Sequence, residues 1–278
     1  MSLRERLERM YEVFPWTEDL STPEGKERFR RTYEGFKEVI KHPWVKELVS
    51  SKEVIEVLDV CGGTGVGGLA LVKVLKELGV KTSLTVNDLR SSALEKAKVY
   101  GKELLGIEVR TLLGNALELH ELGVKADIAL IYGLTTPHFS PYDMVKLMAS
   151  LAKVLEPNGL LMIEESDRTY TITVVMGYRS VLPEYVREGK VVLTIHSGYD
   201  VRRGMVKRIA LELPSMKMAE MEAKFWDIAS TAAITWVFFR DVDFISLGRP
   251  YYGILIAKEP RGLDPSNYVK YPALISER

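Results

Sequence analysis

The chain contains no glutamine, only four asparagines (Asn87, Asn115, Asn158 and Asn267) and a single cysteine, Cys61. One cysteine excludes an intramolecular disulfide and a cysteine-rich zinc site. Few deamidation-prone amides beside abundant Lys, Arg and Glu is the composition expected of a heat-adapted, thermophile source. Net charge is also missing, since 38 basic residues balance 38 acidic ones. A surface built mainly for nucleic acid or anionic lipid is therefore not expected, although a local basic patch fits within a neutral total. No apolar run approaches the ~18 residues of a membrane span. Residues 1–14 lack the apolar stretch of a secretory signal and read as an amphipathic helix, so a cytoplasmic location is expected. No cluster of acids has metal-ligand spacing, and no metal is expected.

What is present suits a soluble globular protein. The chain has 278 residues, 46% hydrophobic and 27% charged, enough to bury about 75% of its unfolded surface. Residues 1–52 read as a helical N-terminal cap. Thr22-Pro23 is a helix start, and Phe29, Tyr33, Phe36 and Ile40 share one face of a helix over 24–42. Pro43 ends or kinks it, and Trp44, Val45, Leu48 and Val49 begin another apolar face. Residues 53–166 alternate strand and helix. Strands are expected at 54–60, 83–86, 109–113, 127–132 and 160–164, with helices at 69–78, 91–105 and 142–155 and a Pro157-Asn158-Gly159 turn. Continuous apolar strands alternating with helices imply a parallel sheet covered on both faces. Residues 167–215 read as an insertion carrying an antiparallel hairpin, 191–196 with 205–213, expected to form a substrate lid. Residues 216–278 are expected to supply a helix at 216–233 and two closing strands around Gly248-Arg249-Pro250.

The sharpest local signal is Leu58-Asp59-Val60-Cys61-Gly62-Gly63-Thr64-Gly65, between an expected strand and an expected helix. Glycines there allow a sharp turn and close approach of a ligand to the main chain. Gly63, Gly65 and Gly68 have the spacing of a dinucleotide site, with Asp88 at the end of the next strand in ribose-binding position. Asp59 separates two cofactor readings. A carboxylate inside the turn suits an ammonium group and faces an anionic pyrophosphate badly.

This run resembles motif I of the class I S-adenosylmethionine-dependent methyltransferases, with Cys61 where the family more often has Gly or Ala. The resemblance continues in order. Val86-Asn87-Asp88-Leu89 is similar to the motif whose acid binds ribose. Leu113-Gly114-Asn115-Ala116 is similar to the segment near adenine, with Asn115 in place of the usual Asp. The segments 126–133, ending at Gly133, and 155–163 are similar to the fourth strand and the turn into the fifth. It implies a seven-stranded, mostly parallel Rossmann-like α/β sheet, S-adenosyl-L-methionine as cofactor, and a cofactor set of Asp59, Gly62, Gly63, Thr64, Gly65, Asp88, Leu89, Asn115, Ala116 and Gly133. It also places the acceptor beyond strands four and five. There His138 is the preferred base, with Glu165 as a second acid–base candidate. Tyr178, Arg179 and His196 are the candidate acceptor contacts. The aromatics Phe14, Trp16, Tyr33 and Phe36 are expected to close over the cofactor.

The Asn/Asp-Pro-Pro-aromatic motif of exocyclic-amine methyltransferases is absent after strand four, and the only thiol lies in the cofactor loop. A small-molecule methyl acceptor is therefore expected. RNA or protein methylation, a nicotinamide-dependent oxidoreductase and a non-catalytic S-adenosylmethionine-binding protein remain alternatives. The residues Arg202, Arg203, Lys207 and Arg208 are the best argument for RNA and read otherwise as a solvated hairpin turn.

Overall fold

The computed structural model describes residues 3–14, 16–187 and 189–276. Seven strands form the main sheet in the order β10-β11-β5-β4-β1-β2-β3. The first five are β1 (Val54–Val60), β2 (Lys81–Asp88), β3 (Val109–Leu113), β4 (Ala126–Ile131) and β5 (Leu155–Ser166). They run parallel, and β10 (Phe239–Arg249) and β11 (Tyr252–Pro260) close the sheet as an antiparallel pair. The Pro157-Asn158-Gly159 turn survives as a bulge in β5, where the register with β4 jumps. Helices cover both faces: α4 (Val66–Glu77) and α5 (Ser91–Leu105) one, α6 (Pro141–Val154) and α7 (Ile228–Phe238) the other.

Alternation along each strand explains why both faces are dry. In β1, Val57 joins the core under α4, and Leu58 and Val60 join the core under α6. In β4, Ile128 and Leu130 face the first core, Ala129 and Ile131 the second. Such strands are apolar on both sides, which is what a sheet buried on both faces demands. The order reverses at β1, whose neighbours are β2 and β4. A crevice forms outside the carboxyl ends of strands at such a switch point.

The N-terminal helices divide their work. In α2 (Pro23–Val39) the Thr22 hydroxyl caps the first turn, accepting from Gly25 N, and Pro23 sits where its missing N–H costs nothing. Phe36 is buried in the main core, and Tyr33 donates to Glu77 of α4. Those two aromatics therefore pack α2 against the sheet layer rather than closing over the cofactor. Pro43 starts α3 (Pro43–Ser51), a separate helix.

The insertion is larger than the hairpin. Strands β6 (Val181–Arg187), β7 (Lys190–Asp200), β8 (Met205–Leu213) and β9 (Lys217–Ala223) form a second, antiparallel sheet. The helix expected over 216–233 is wrong in its first half: β9 continues the lid sheet past residue 215, and helix begins only at Ile228. Lys217–Ala223 is rich in helix-forming Met, Ala, Glu and Lys. Pairing with β8 overrides that propensity, because a period of two puts Ala219 and Met221 onto a shared apolar patch while Met218 faces out. The patch is completed by Leu7, Met10, Tyr11 and Val13, from α1 (Leu3–Val13), which lies across the lid sheet. Among the described residues no helix is long and apolar enough to cross a membrane.

Candidate active site

The glycine loop leaves β1 in left-handed backbone. Cys61 has φ 53°, and Gly65, with φ 81°, opens α4 in a conformation that a side chain would strain. Gly62 is needed for proximity: a Cβ there would meet the Asp59 carboxylate at 2.5–2.9 Å. Asp59 is fully buried. Its Oδ2 accepts from Gly68 N at 2.8 Å, while Oδ1 is sealed from solvent without a partner. Burial raises its pKa to about 7, the Gly68 bond only partly opposing the shift. Burial also pushes the Cys61 thiol well above its usual range, so it stays protonated and is no nucleophile.

Asp88, at the end of β2, is the organising acid. Its Oδ2 accepts from Gly63 N at 2.8 Å; its Oδ1 accepts from Arg90 N at 2.8 Å and Arg90 Nε at 3.3 Å. Arg90 and Glu18 were not legible in the sequence. The guanidinium makes a two-point pair with Glu18 at 2.7 and 3.0 Å and lies over the Tyr11 ring at 4.0 Å. Thr64 Oγ1 donates to the Glu18 carbonyl at 2.6 Å. The link after α1 is thereby strapped onto the loop. Tyr11, Trp16, Glu18 and Arg28 enclose, with the loop, Tyr132 and Gly133, a cavity of about 30 Å³. Of the aromatics expected over the cofactor, Trp16 reaches the cavity. Arg28 stacks on Trp16 at 4.9 Å and donates to the Thr17 carbonyl.

The other residues expected to hold the cofactor lie at the neighbouring strand ends. Leu89 is half-buried beside Asp88. Gly114 N donates to the Asp88 carbonyl, which brings Asn115 and the buried Ala116 alongside. The Asn115 side chain caps the turn that follows, accepting from Leu117 N at 3.1 Å, so one lone pair of its oxygen is already committed. Asn87 steadies this edge by donating to the Leu112 and Gly114 carbonyls. Gly133 is held by Glu164, which accepts from the Gly133 and Leu134 amides at 2.7 and 2.8 Å and from the Tyr252 hydroxyl at 2.5 Å. The sequence pointed to the adjacent acid, and Glu164 shapes the loop.

Glu165 itself is fully buried between the Thr136 and Thr231 hydroxyls, both 3.1 Å away. Burial raises its pKa to about 7. His138 ends the short turn after β4, and its ring has no hydrogen-bond partner among the described residues. Burial lowers its pKa to about 4, helped by the charges of Arg168 and Arg90, so at neutral pH the imidazole is uncharged.

The lid brings two of its three expected contacts together. The Tyr178 hydroxyl meets His196 Nδ1 at 2.5 Å. Arg179 is exposed and contributes only its carbonyl, to Arg208 at 3.2 Å. The guanidinium expected there is instead that of Arg208, which is 7% exposed and donates to the Thr194 hydroxyl and carbonyl and to Tyr178. For Arg208 this corrects the expectation of a solvated hairpin turn, while Arg202 and Lys207 are exposed. Arg208 is structural, and Arg203 and Lys207 both pair with Glu222. Lid and core meet where Lys224 N donates to the Pro137 carbonyl and Trp226 Nε1 to the Thr136 and Phe139 carbonyls. Among the described residues no group of acids, histidines or cysteines has the arrangement of a metal site.

Residues 57–159 match the family of methyltransferase domains. With the strand order and the loop, this match supports the class I S-adenosylmethionine-dependent methyltransferase superfamily for that segment, and S-adenosyl-L-methionine as its cofactor. The residues fit that group: a buried carboxylate oxygen of Asp59 has no hydrogen-bond partner, and Asp88 closes the next strand. Among solved structures, a protein from Pyrococcus horikoshii is similar at 17% identity and TM-score 0.61, covering 90% of this chain and 98% of its own. The CcbJ methyltransferase from Streptomyces caelestis matches at 13% identity and TM-score 0.61, with 90% and 95% covered. CalS10, an amino pentose methyltransferase from Micromonospora echinaspora whose structure holds S-adenosylmethionine, matches at 15% and TM-score 0.53, with 85% and 95% covered. At these identities the likeness is one of fold. No curated protein sequence matches the chain.

Proposed function

We propose that the protein transfers the methyl group of S-adenosylmethionine to a small-molecule acceptor held between the carboxyl edge of the main sheet and the four-stranded lid. The observation that carries this reading is the pairing of acids at successive strand ends around one glycine loop. Asp88 is the acceptor for the ribose hydroxyls. Asp59, with an oxygen lacking a donor, answers an ammonium group and would repel a pyrophosphate. Arg28, at the same cavity, is the group for the amino-acid carboxylate.

The bound cofactor supplies an electrophilic sulfonium methyl, so the protein's task is to orient the acceptor and exclude water. Glu164 fixes the loop after β4 through two amides, and Trp226 ties that loop to the lid root. His138, uncharged and uncommitted, is placed to accept a hydrogen bond from an amine or hydroxyl acceptor, its pKa of about 4 making it a weak base. Glu165, bound by two threonines, steadies that turn through Thr136. The small-molecule part of the reading is supported by neighbours such as the amino pentose enzyme and by a lid in which Arg203 and Lys207 pair with Glu222 and Arg208 is buried.

The test is calorimetry with S-adenosylhomocysteine and with NADH, followed by a radiolabelled methyl-transfer screen of small amines, hydroxy compounds and RNA. Binding of NADH alone removes the cofactor assignment. Methylation of RNA alone removes the acceptor assignment.

A further inference from the structure

Four arginines reach the site region, and three of them are engaged: Arg28 stacks on Trp16 and donates to the Thr17 carbonyl. Arg90 is held by Glu18 and Asp88; Arg208 by Thr194, Tyr178 and the Arg179 carbonyl. Arg168 is the exception. It follows β5 at the root of the lid, and its backbone is rigid: its amide donates to the Trp226 carbonyl at 2.8 Å, and the next residue, Thr169, donates to the Trp226 and Phe225 carbonyls. Its Nε is sealed from solvent with no hydrogen-bond partner, and its side chain makes no ion pair with any described residue. The residue as a whole is only half-buried, so the sealed Nε lies behind a head that a ligand can reach.

The surrounding acids do not supply the missing partner. Glu165, Glu164 and Glu184 all act on Arg168 electrostatically, yet each is committed elsewhere. Glu165 accepts from Thr136 and Thr231, Glu164 from the Gly133 and Leu134 amides and Tyr252, and Glu184 from Thr194. A planar fork of donors left open in a partly dry site is costly unless something external fills it, and its geometry matches a carboxylate or phosphate. The location is also informative. The His138 ring is within electrostatic reach of both Arg168 and Arg90, the arginine on the ribose acid Asp88. A molecule anchored on Arg168 and passing His138 therefore extends toward the cofactor mouth.

We infer that the methyl acceptor carries an oxyanionic group, carboxylate or phosphate, which docks on the guanidinium of Arg168 and sets the distance from that anchor to the atom methylated. This rests on the methyltransferase reading and deepens it by naming the substrate class.

The experiment separates the two. Protein labelled with ¹⁵N-arginine is titrated with sodium benzoate and, separately, with inorganic phosphate, with and without S-adenosylhomocysteine, while the Arg Nε–H resonances are followed. The Arg168 resonance is identified by its loss in Arg168→Lys and Arg168→Met. S-adenosylhomocysteine affinity, measured on all three proteins, reports folding and the methyltransferase reading independently. The expected result is a saturable shift of the Arg168 resonance with at least one anion. The anion should bind at least about tenfold more weakly to both variants, the loss of one charge-assisted contact, with S-adenosylhomocysteine affinity kept within about twofold. A response to benzoate alone assigns a carboxylate, and to phosphate alone a phosphorylated acceptor. An Arg168 resonance that neither anion moves, or anion binding retained in both variants, overturns the inference even where S-adenosylhomocysteine binds.

Discussion

Replacing Asp88 by Asn is the most direct test of the cofactor site, because the shape is kept and only charge and one acceptor are lost. Every group now facing this carboxylate is a donor: Gly63 N, Arg90 N and Arg90 Nε. An amide has one oxygen, so in either orientation its NH₂ is set against a donor. Asp88 is 7% exposed, which leaves little water to relieve the mismatch. Two effects should follow. The native protein loses a charge-assisted bond of about 1.5–3 kcal/mol. Part of that is returned because Arg90 keeps Glu18, so a net stability loss of about 1–2 kcal/mol is expected in urea unfolding. Cofactor binding loses a second contact, the ribose hydroxyls onto the carboxylate, again about 1.5–3 kcal/mol, or roughly ten- to a hundredfold in Kd. Calorimetry with S-adenosylhomocysteine at matched folded fraction separates the two. If affinity changes less than twofold while stability falls, Asp88 only organises the loop and the ribose assignment fails.

Other outcomes follow from the same geometry. Asp59 holds its proton up to about pH 7. An ammonium placed against Oδ1 should expel that proton. Calorimetric heats at pH 6.5 should therefore vary with buffer ionisation enthalpy in the sense of proton release, and Asp59→Asn should remove the variation. The raised pKa of Glu165, about 7 against 4.5, gives stability that is complete below about pH 4.5 and is lost as pH rises through 7. Glu165→Gln should thus be destabilised less than the wild type between pH 5 and 7.5, by on the order of 3 kcal/mol, in paired urea titrations; parallel curves would show that Glu165 ionises normally. Glu18→Ala should speed S-adenosylhomocysteine association about tenfold in stopped-flow fluorescence, with Trp16 as reporter. An unchanged rate would mean the strap does not guard the mouth.

The main sheet was readable because its signals are local. Apolar runs bounded by glycine gave β1 and β3 to the residue, and Ser91–Leu105 gave α5. The acids Asp59 and Asp88 stood at strand ends in the order a cofactor needs. What escaped the sequence was partnership across long separations. Nothing in 216–233 betrays that its first half pairs with β8, because propensity there favours helix and only α1 on the far side rewards alternation. Glu18 and Arg90 are 72 positions apart. The open state of Arg168 is a property of what its neighbours have already been used for. That Glu164 holds the loop was not legible for a simple reason: adjacent strand residues point to opposite faces, and only contacts tell which face meets the loop.

Helix α1 touches two parts of the enzyme that a scheme of separate sites would treat as independent. One side of it completes the apolar patch of the lid sheet, and the link beyond it carries Glu18 onto Arg90 and Thr64. Widening the small cavity at the cofactor mouth means shifting that link, and the helix cannot shift without sliding over β8 and β9. Turnover should then be ordered rather than random. The spent cofactor would leave only after the methylated product has let the lid loosen, and a fresh one, by drawing the strap back, would set the lid for the next acceptor. In such an arrangement exchange of a single helix would be expected to set the pace of the cycle, a gating role and not a chemical one.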